Sequence, residues 1–478
     1  MRQWLGVAAI LFFLQGMALG AGLDPFAKAM GADKVGSIDF GGSGFQYAVG
    51  QSFEPRKPWP KFNLETFRAV VNYSTASMTE ERALTQWEKP PRGGGWQPIS
   101  GVQIGSGGIS LDRAWTSSGG RAVPSRSAAA AYLALWTTPH GVVKATQAVK
   151  ATVKLRTSGG RPYETVSFGK KGAFSAIAWF DAVYKVLVAV EADVADPVLG
   201  DKRVVTLYSA YKDFDGIKFP TRITEKTEGF PSFELNVTSI RPNAPADIKT
   251  PRGLGALGDN AKVEEVASGI FFITGGSHNS VAIAMDDHVV LFEAPLDDAR
   301  MDAVVKAVSE AVPGKEIRTV VNTHHHFDHS GGLRAMAARG SAIVTGRINV
   351  PFFGRAFARA ARISPDALAR SGKKAEFIAV DEKHVLTDGR RRIELYRLSG
   401  NLHDDGLLIG HLPAEKVLMV ADAFNAGSLL KGPQAEVNPL TANLWENLQR
   451  LKLDVETVLP IHGNKVGFEQ LRFAAGQN

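Results

Sequence analysis

The sequence predicts a chain of mixed α and β structure in two parts. A mainly antiparallel β domain with one or two helices covers residues 21–242, a linker covers 243–259, and a layered α/β domain covers 260–478. Three observations carry this reading. The first half repeats strand, breaker, strand with Gly-rich turns. The stretch after Asn243 is rich in Gly and Pro and has little apolar periodicity. Beyond it, strands alternate with a helical pattern, which indicates a layered α/β domain. A length of 478 residues allows two or three domains, and 44% hydrophobic with 22% charged residues excludes wholesale disorder. The absence of cysteine excludes disulfides, iron–sulfur clusters, thiolate zinc fingers, a Cys nucleophile and a lipid-modified N-terminal Cys.

Residues 1–20 read as a cleaved secretory signal: Arg2 is the positive start, residues 4–14 are apolar, and Ala18 and Gly20 are the small residues of a cleavage site. No later segment has 18 uninterrupted apolar residues. The expected location is therefore the periplasm or the medium, where a chain without Cys manages without disulfides.

In the first half, residues 67–73, 153–156, 165–168, 174–180 and 184–190 have strand composition. Residues 208–223 read as a hairpin turning at Asp215-Gly216. Residues 127–136 are Ala-rich and helical in composition, with Pro139 as their stop. His140 is the only His before residue 278 and reads as structural. The net charge of +7 is confined here: residues 1–250 hold 29 basic and 21 acidic side chains, against 26 and 27 in residues 251–478. A basic face of that kind suits an anionic ligand or an envelope surface. The hairpins of residues 208–245 resemble the end of a periplasmic lipoprotein-carrier-like fold, which implies a curled sheet around an apolar groove. On that reading the N-terminal half does no chemistry, and its removal leaves metal binding intact.

In the second half, residues 263–274, 280–292 and 317–323 read as strands, the second pair of arms turning at Asp286-Asp287. Met301, Val304, Val305, Val308 and Val312 share one helix face that Pro313-Gly314 ends. The chemistry concentrates after residue 323, in His324-His325-His326-Phe327-Asp328-His329, between a strand end and a helix expected near Gly331-Gly332. Side chains two apart on an extended chain share a face, so His324 and His326 point to one metal while His325 points away. As the chain turns, Asp328 and His329 reach a second position. Imidazole and carboxylate together suit zinc. His403, Asp422 and His462 follow in order, each expected at a strand end, where α/β ligand sites lie.

This pattern resembles the metallo-β-lactamase fold superfamily over residues 260–478. The resemblance implies an αββα sandwich with two Zn²⁺ or similar divalent ions. His324, His326 and His403 would hold the first, Asp328, His329 and His462 the second, and Asp422 would bridge both. A water shared by two such ions is acidified toward neutrality and becomes the nucleophile, with Asp328 and Asp422 the carboxylates at the reaction. Glu293 and Asp404 depart from the pattern, which usually has Asp and Ser or Thr there. Glu293 and Asp405 are candidate acceptors for ligand N–H groups. Phe352, Phe353 and Phe357 read as packing, Leu444, Leu448 and Leu451 as core, and His278 as a candidate substrate contact.

The expected function is an exported binuclear zinc hydrolase of an ester, thioester, lactone or amide. The bridging Asp422 and the missing Cys ligand disfavour a dedicated β-lactam hydrolase. The competing reading is a lipid or lipoprotein carrier with a vestigial metal domain. The expected partner is a small or amphiphilic substrate, with an envelope surface as the second candidate and no nucleic acid.

Overall fold

The computed structural model describes residues 23–427 and 437–477, apart from 119, 150, 258 and 259; the signal segment, residues 1–20, lies outside them. Residues 37–242 build one 13-stranded antiparallel sheet, in which Ser37–Tyr47 pairs with both Lys61–Asn72 and the last strand, Phe230–Pro242. Alternation sets its two faces: Phe174, Ala176, Ala178 and Phe180 are buried on Phe174–Asp181, with more exposed residues between them. The helices Asp24–Met30, Ala128–Trp136 and Pro139–Ala148 pack on the buried face and share its core.

The hairpin turns at Asp215-Gly216, where both residues adopt positive φ, joining Gly200–Phe214 to Ile217–Thr227. Two local expectations need correction. Residues 184–186 are not strand: the Asp181 carboxylate accepts the backbone N–H groups of Val183 and Tyr184, making a turn, and the strand begins at Leu187. Pro139 does more than stop a helix. It occupies the first turn of the next one, where its missing N–H costs nothing. His140 is buried in that helix and bonds to the Met30 carbonyl, with burial pushing its pKa down to about 4.

Among the described residues between Pro242 and Lys262 there is no regular element. Beyond them stand a seven-stranded and a six-stranded sheet. The first runs from Lys262–Ala267 to Phe377–Val380, antiparallel at its start and parallel from Val289–Phe292 onward. The second runs from Lys383–Thr387 to Val466–Gly467. Phe272, Ile283 and Phe292 of the first sheet share a core with Leu395, Ile409, Met419 and Leu459 of the second. Helices Asp298–Ala311, Leu333–Arg339 and Val350–Phe357 cover the outer face of the first sheet. Pro439–Leu451 and Phe468–Ala474 cover the second, burying Leu444, Leu448 and Leu471. The result is an αββα sandwich behind a large β domain. Asn279 ties the sheet ends together: its N–H reaches the Ile461 carbonyl (2.9 Å), and its side chain reaches the carbonyls of Pro460 (3.0 Å) and Gly463 (2.7 Å).

Candidate metal centre

Every candidate ligand lies at one end of the two sheets. His324 to His329 follow the strand Ile317–Val321, His403 sits in the loop before Leu408–Leu412, and His462 closes Thr457–His462. Asp422 was expected at a strand end. It lies instead inside Val417–Asn425, where the pairing with Thr457–His462 breaks register between Val420 and Asn425.

The hydrogen bonds around His324, His326, His329 and His462 fix which nitrogen of each faces inward. The Thr323 hydroxyl donates to Glu293 Oε2 (2.6 Å), so its oxygen is left to accept from His324 Nδ1 (2.9 Å). His326 Nε2 donates to the Ser52 carbonyl (2.9 Å). His324 Nε2 and His326 Nδ1 are therefore lone pairs, yet they face each other at 3.0 Å. His403 Nε2 completes the group, 3.3 Å from His324 Nε2 and 2.9 Å from Asp422 Oδ2. On the other side His329 Nδ1 donates to Glu293 Oε2 (3.3 Å) and His462 Nδ1 to the Ser277 carbonyl (3.3 Å). Their inward-facing Nε2 atoms lie 3.3 Å apart, and 3.0 and 2.8 Å from Asp422 Oδ1. Asp422 thus turns one oxygen to each group, and its buried Oδ1 has no hydrogen-bond donor. Nitrogens and carboxylate oxygens converging in this way repel unless a cation, a metal ion or a proton, stands at each point of convergence. The donor set fits divalent metal.

The electrostatics agree. Burial, with the neighbouring imidazoles, pushes His324 well below its ordinary range and His326 down to about 3, so both are neutral donors. Burial works against ionised Asp422 and Asp328, but His329 and the other imidazoles hold both well below the usual carboxylate range. Burial also opposes a charge on His329, yet Asp422 and Asp328 raise its pKa well above normal, so without metal its Nε2 carries a proton toward Asp422 Oδ1, and a metal ion there would take that proton's place.

Asp328 lies at the edge of the second group, its side chain 37% exposed. Its Oδ1 accepts from Gln51 Nε2 (2.8 Å), and its Oδ2 faces His278 Nε2 at 3.4 Å. His278 is buried, and its ring centroid lies 4.3 Å from that of His462 and 4.8 Å from that of His329. The sequence makes it a candidate substrate contact. Its place between loop and sheet end makes it a neighbour of Asp328 and the second group. Glu293 is the acceptor proposed for ligand N–H groups. Asp405 is not: it pairs with Arg397 at 2.9 Å, away from the imidazoles. His325 turns away from the ligands, its Nδ1 2.5 Å from Asp404 Oδ2 and its Nε2 3.1 Å from Ser52 Oγ. Phe353 is core, whereas the Phe352 ring packs on His325 and Phe327.

The residues that sequence reasoning missed come from the N-terminal half, which was expected to stand apart. Gln51 and Ser52, in the loop after Ser37–Tyr47, reach into the ligand set. Their only sequence signal was the Gly50-Gln51-Ser52 turn, which has no metal-ligand spacing.

Residues 273–462 match the family model of the metallo-beta-lactamase superfamily. Over these residues the chain is similar to that superfamily. A hydroxyacylglutathione hydrolase of Maricaulis maris is 26% identical over 161 residues, 33% of this chain and 51% of that protein. The chain thus spans about half the length of the curated relative it matches. A metallo-beta-lactamase from Pontibacter korlensis is 16% identical, covering 45% of this chain and 98% of its own, with a TM-score of 0.36. One from Hirschia baltica is 17% identical, covering 45% and 97%, with a TM-score of 0.34.

Proposed function

We propose that the protein is an exported hydrolase with two divalent ions, zinc foremost, that cleaves an ester, thioester, lactone or amide. The observation that carries this reading is the pair of converging imidazole groups on either side of the Asp422 carboxylate. Held there, the ions would polarise a substrate carbonyl and lower the pKa of water. The chain's own residues supply the rest. His324, His326 and His329 are closed to solvent, so substrate approaches from the side of Asp328 and His462, whose side chains are 37% and 19% exposed. Asp422 separates the two groups and keeps their spacing. Asp328 brings a second carboxylate to the open side, ionised at neutral pH, where it can take a proton from the attacking water. The thioester class stands first because the similar Maricaulis protein is named for hydroxyacylglutathione hydrolysis. β-Lactams stand last because Asp422 takes the bridging position. Export rests on residues 1–20; among the described residues no helix is long and apolar enough to cross a membrane.

The test is a panel of small esters, thioesters, lactones and β-lactams with the zinc-loaded full-length protein. Hydrolysis that EDTA abolishes and serine-directed inhibitors leave intact is expected. Turnover that survives exhaustive chelation would overturn the reading.

A further inference from the structure

We propose that the N-terminal domain is part of the metal centre, with Gln51 and Ser52 as positioning residues for the ligands Asp328 and His326. This rests on the reading of the site as a metal centre.

Two contacts touch the ligands directly. The Ser52 carbonyl takes the Nε2 proton of His326 (2.9 Å), which leaves Nδ1 as the donor to metal. Gln51 Nε2 donates to Asp328 Oδ1 at 2.8 Å. The Gln51 amide cannot flip without loss, because its Oε1 already accepts the Gly95 N–H at 2.9 Å. A third contact runs through a buried chain: Ser52 Oγ lies 3.1 Å from His325 Nε2, and His325 Nδ1 lies 2.5 Å from Asp404 Oδ2. His325 and Asp404 are the immediate chain neighbours of His326 and His403. Asp404 gains a role here: it stands against the imidazole that receives the Ser52 hydroxyl. Ser52, though it faces His and Asp in that order, is fully buried, so the chain is an anchor rather than a nucleophile.

The backbone makes the same join. Phe327 N–H donates to the Gly50 carbonyl (3.2 Å), Asp405 N–H to the Phe53 carbonyl (3.0 Å), and Gly93 N–H to the Leu402 carbonyl (2.8 Å). Residues 50–53 and 93–95 are thus bonded to both ligand loops. The fit is close enough to require glycine. A Cβ on Gly94 would stand 2.2 Å from Gln51 Oε1 and 2.7 Å from His326 Cε1, and one on Gly50 2.4 Å from Phe327 Cγ. Contacts to ligands from outside the coordination sphere orient them and set their basicity, and their loss typically costs 10–100-fold in metal affinity.

The experiment uses the full-length protein and Zn²⁺ itself, with affinities from chelator competition and the site environment from the visible spectrum of the Co²⁺-substituted protein. Gln51→Ala should weaken the ion held through Asp328 by about 10–100-fold and alter the cobalt spectrum. Gly94→Ala, whose methyl meets both Gln51 and His326, should disturb both sides of the site in the same way. Arg359→Ala is the docking control. It removes the Arg359–Glu228 pair between the domains (2.6 Å), which contacts no ligand. It should leave both affinities within about twofold. Circular dichroism confirms that each variant is folded. A folded Gln51→Ala protein with wild-type affinities and spectrum overturns the proposal. So does an Arg359→Ala protein with the same loss as Gln51→Ala, since the effect would then be docking alone. A wild type that binds no zinc tightly would instead remove the metal-centre reading, and this proposal with it.

Discussion

Glu293 is the residue whose replacement tests the tautomer argument most sharply. It is wholly buried, and its two oxygens are shared among four donors. Oε1 accepts from Thr323 N (3.3 Å) and Asn322 Nδ2 (3.4 Å), and Oε2 from the Thr323 hydroxyl (2.6 Å) and His329 Nδ1 (3.3 Å). Glu293→Gln keeps the shape but replaces one oxygen by an NH₂ group, so one pair of donors must face a donor. If the NH₂ takes the Oε2 position, both His324, through Thr323, and His329 lose the partner that fixes their inward-facing Nε2. If it takes the other, the backbone N–H of Thr323 is left unpaired. A hydrogen bond to a charged group is worth about 1.5–3 kcal/mol. The expected result is a 10–100-fold loss of zinc affinity, or about 1.4–2.8 kcal/mol of binding free energy. Chelator competition at constant pH measures it, with thermal unfolding of the metal-free protein as the parallel reading. Zinc affinity within twofold of wild type would refute the claim that Glu293 sets the ligand tautomers.

His140 gives a pH prediction away from the metal. Its folded pKa of about 4 lies below the ordinary 6.5, so the unfolded chain binds the extra proton between these values. Its contribution is complete above pH 6.5 and is lost as pH falls toward 4, by about 3 kcal/mol at most. Urea unfolding at pH 7 and pH 4.5 should show a smaller pH-dependent loss in His140→Gln than in wild type, and equal losses would refute the assignment. His278 gives another. Its Nδ1 lies 2.9 Å from Ser277 Oγ and its Nε2 faces Asp328. Zinc titration of His278→Ala should show weakening of the second ion and not the first; weakening of the first alone would refute its placement.

The part of the candidate ligand set from His324 to His329 could be read from the sequence because its information is local, whereas the roles of His403, Asp422 and His462 came from the resemblance. His-x-His on extended chain forces two imidazoles to one side, and Asp328-His329 follows within one turn. The alternating arms around Asp215-Gly216 were readable for the same reason, since side-chain period and turn chemistry are local properties. The contributions of Gln51 and Ser52 were not. They depend on contacts about 275 residues away in sequence, made partly by backbone carbonyls that carry no residue signature. Asp404 was visible as a departure, but its partner His325 could be assigned only once the loops were in place. The strand at 184–190 was misjudged by three residues because apolar Tyr184 fits a strand, whereas the Asp181 side chain captures the backbone into a turn.

The central claim is that two cations occupy the converging donors on either side of Asp422. Anomalous diffraction from crystals of the zinc-loaded full-length protein, collected on both sides of the zinc absorption edge, tests it directly. The account predicts two zinc peaks. One should lie among His324, His326, His403 and Asp422 Oδ2, and the other among His329, His462, Asp328 and Asp422 Oδ1. A single peak, or a peak at His325 and Asp404 in place of either, would contradict it.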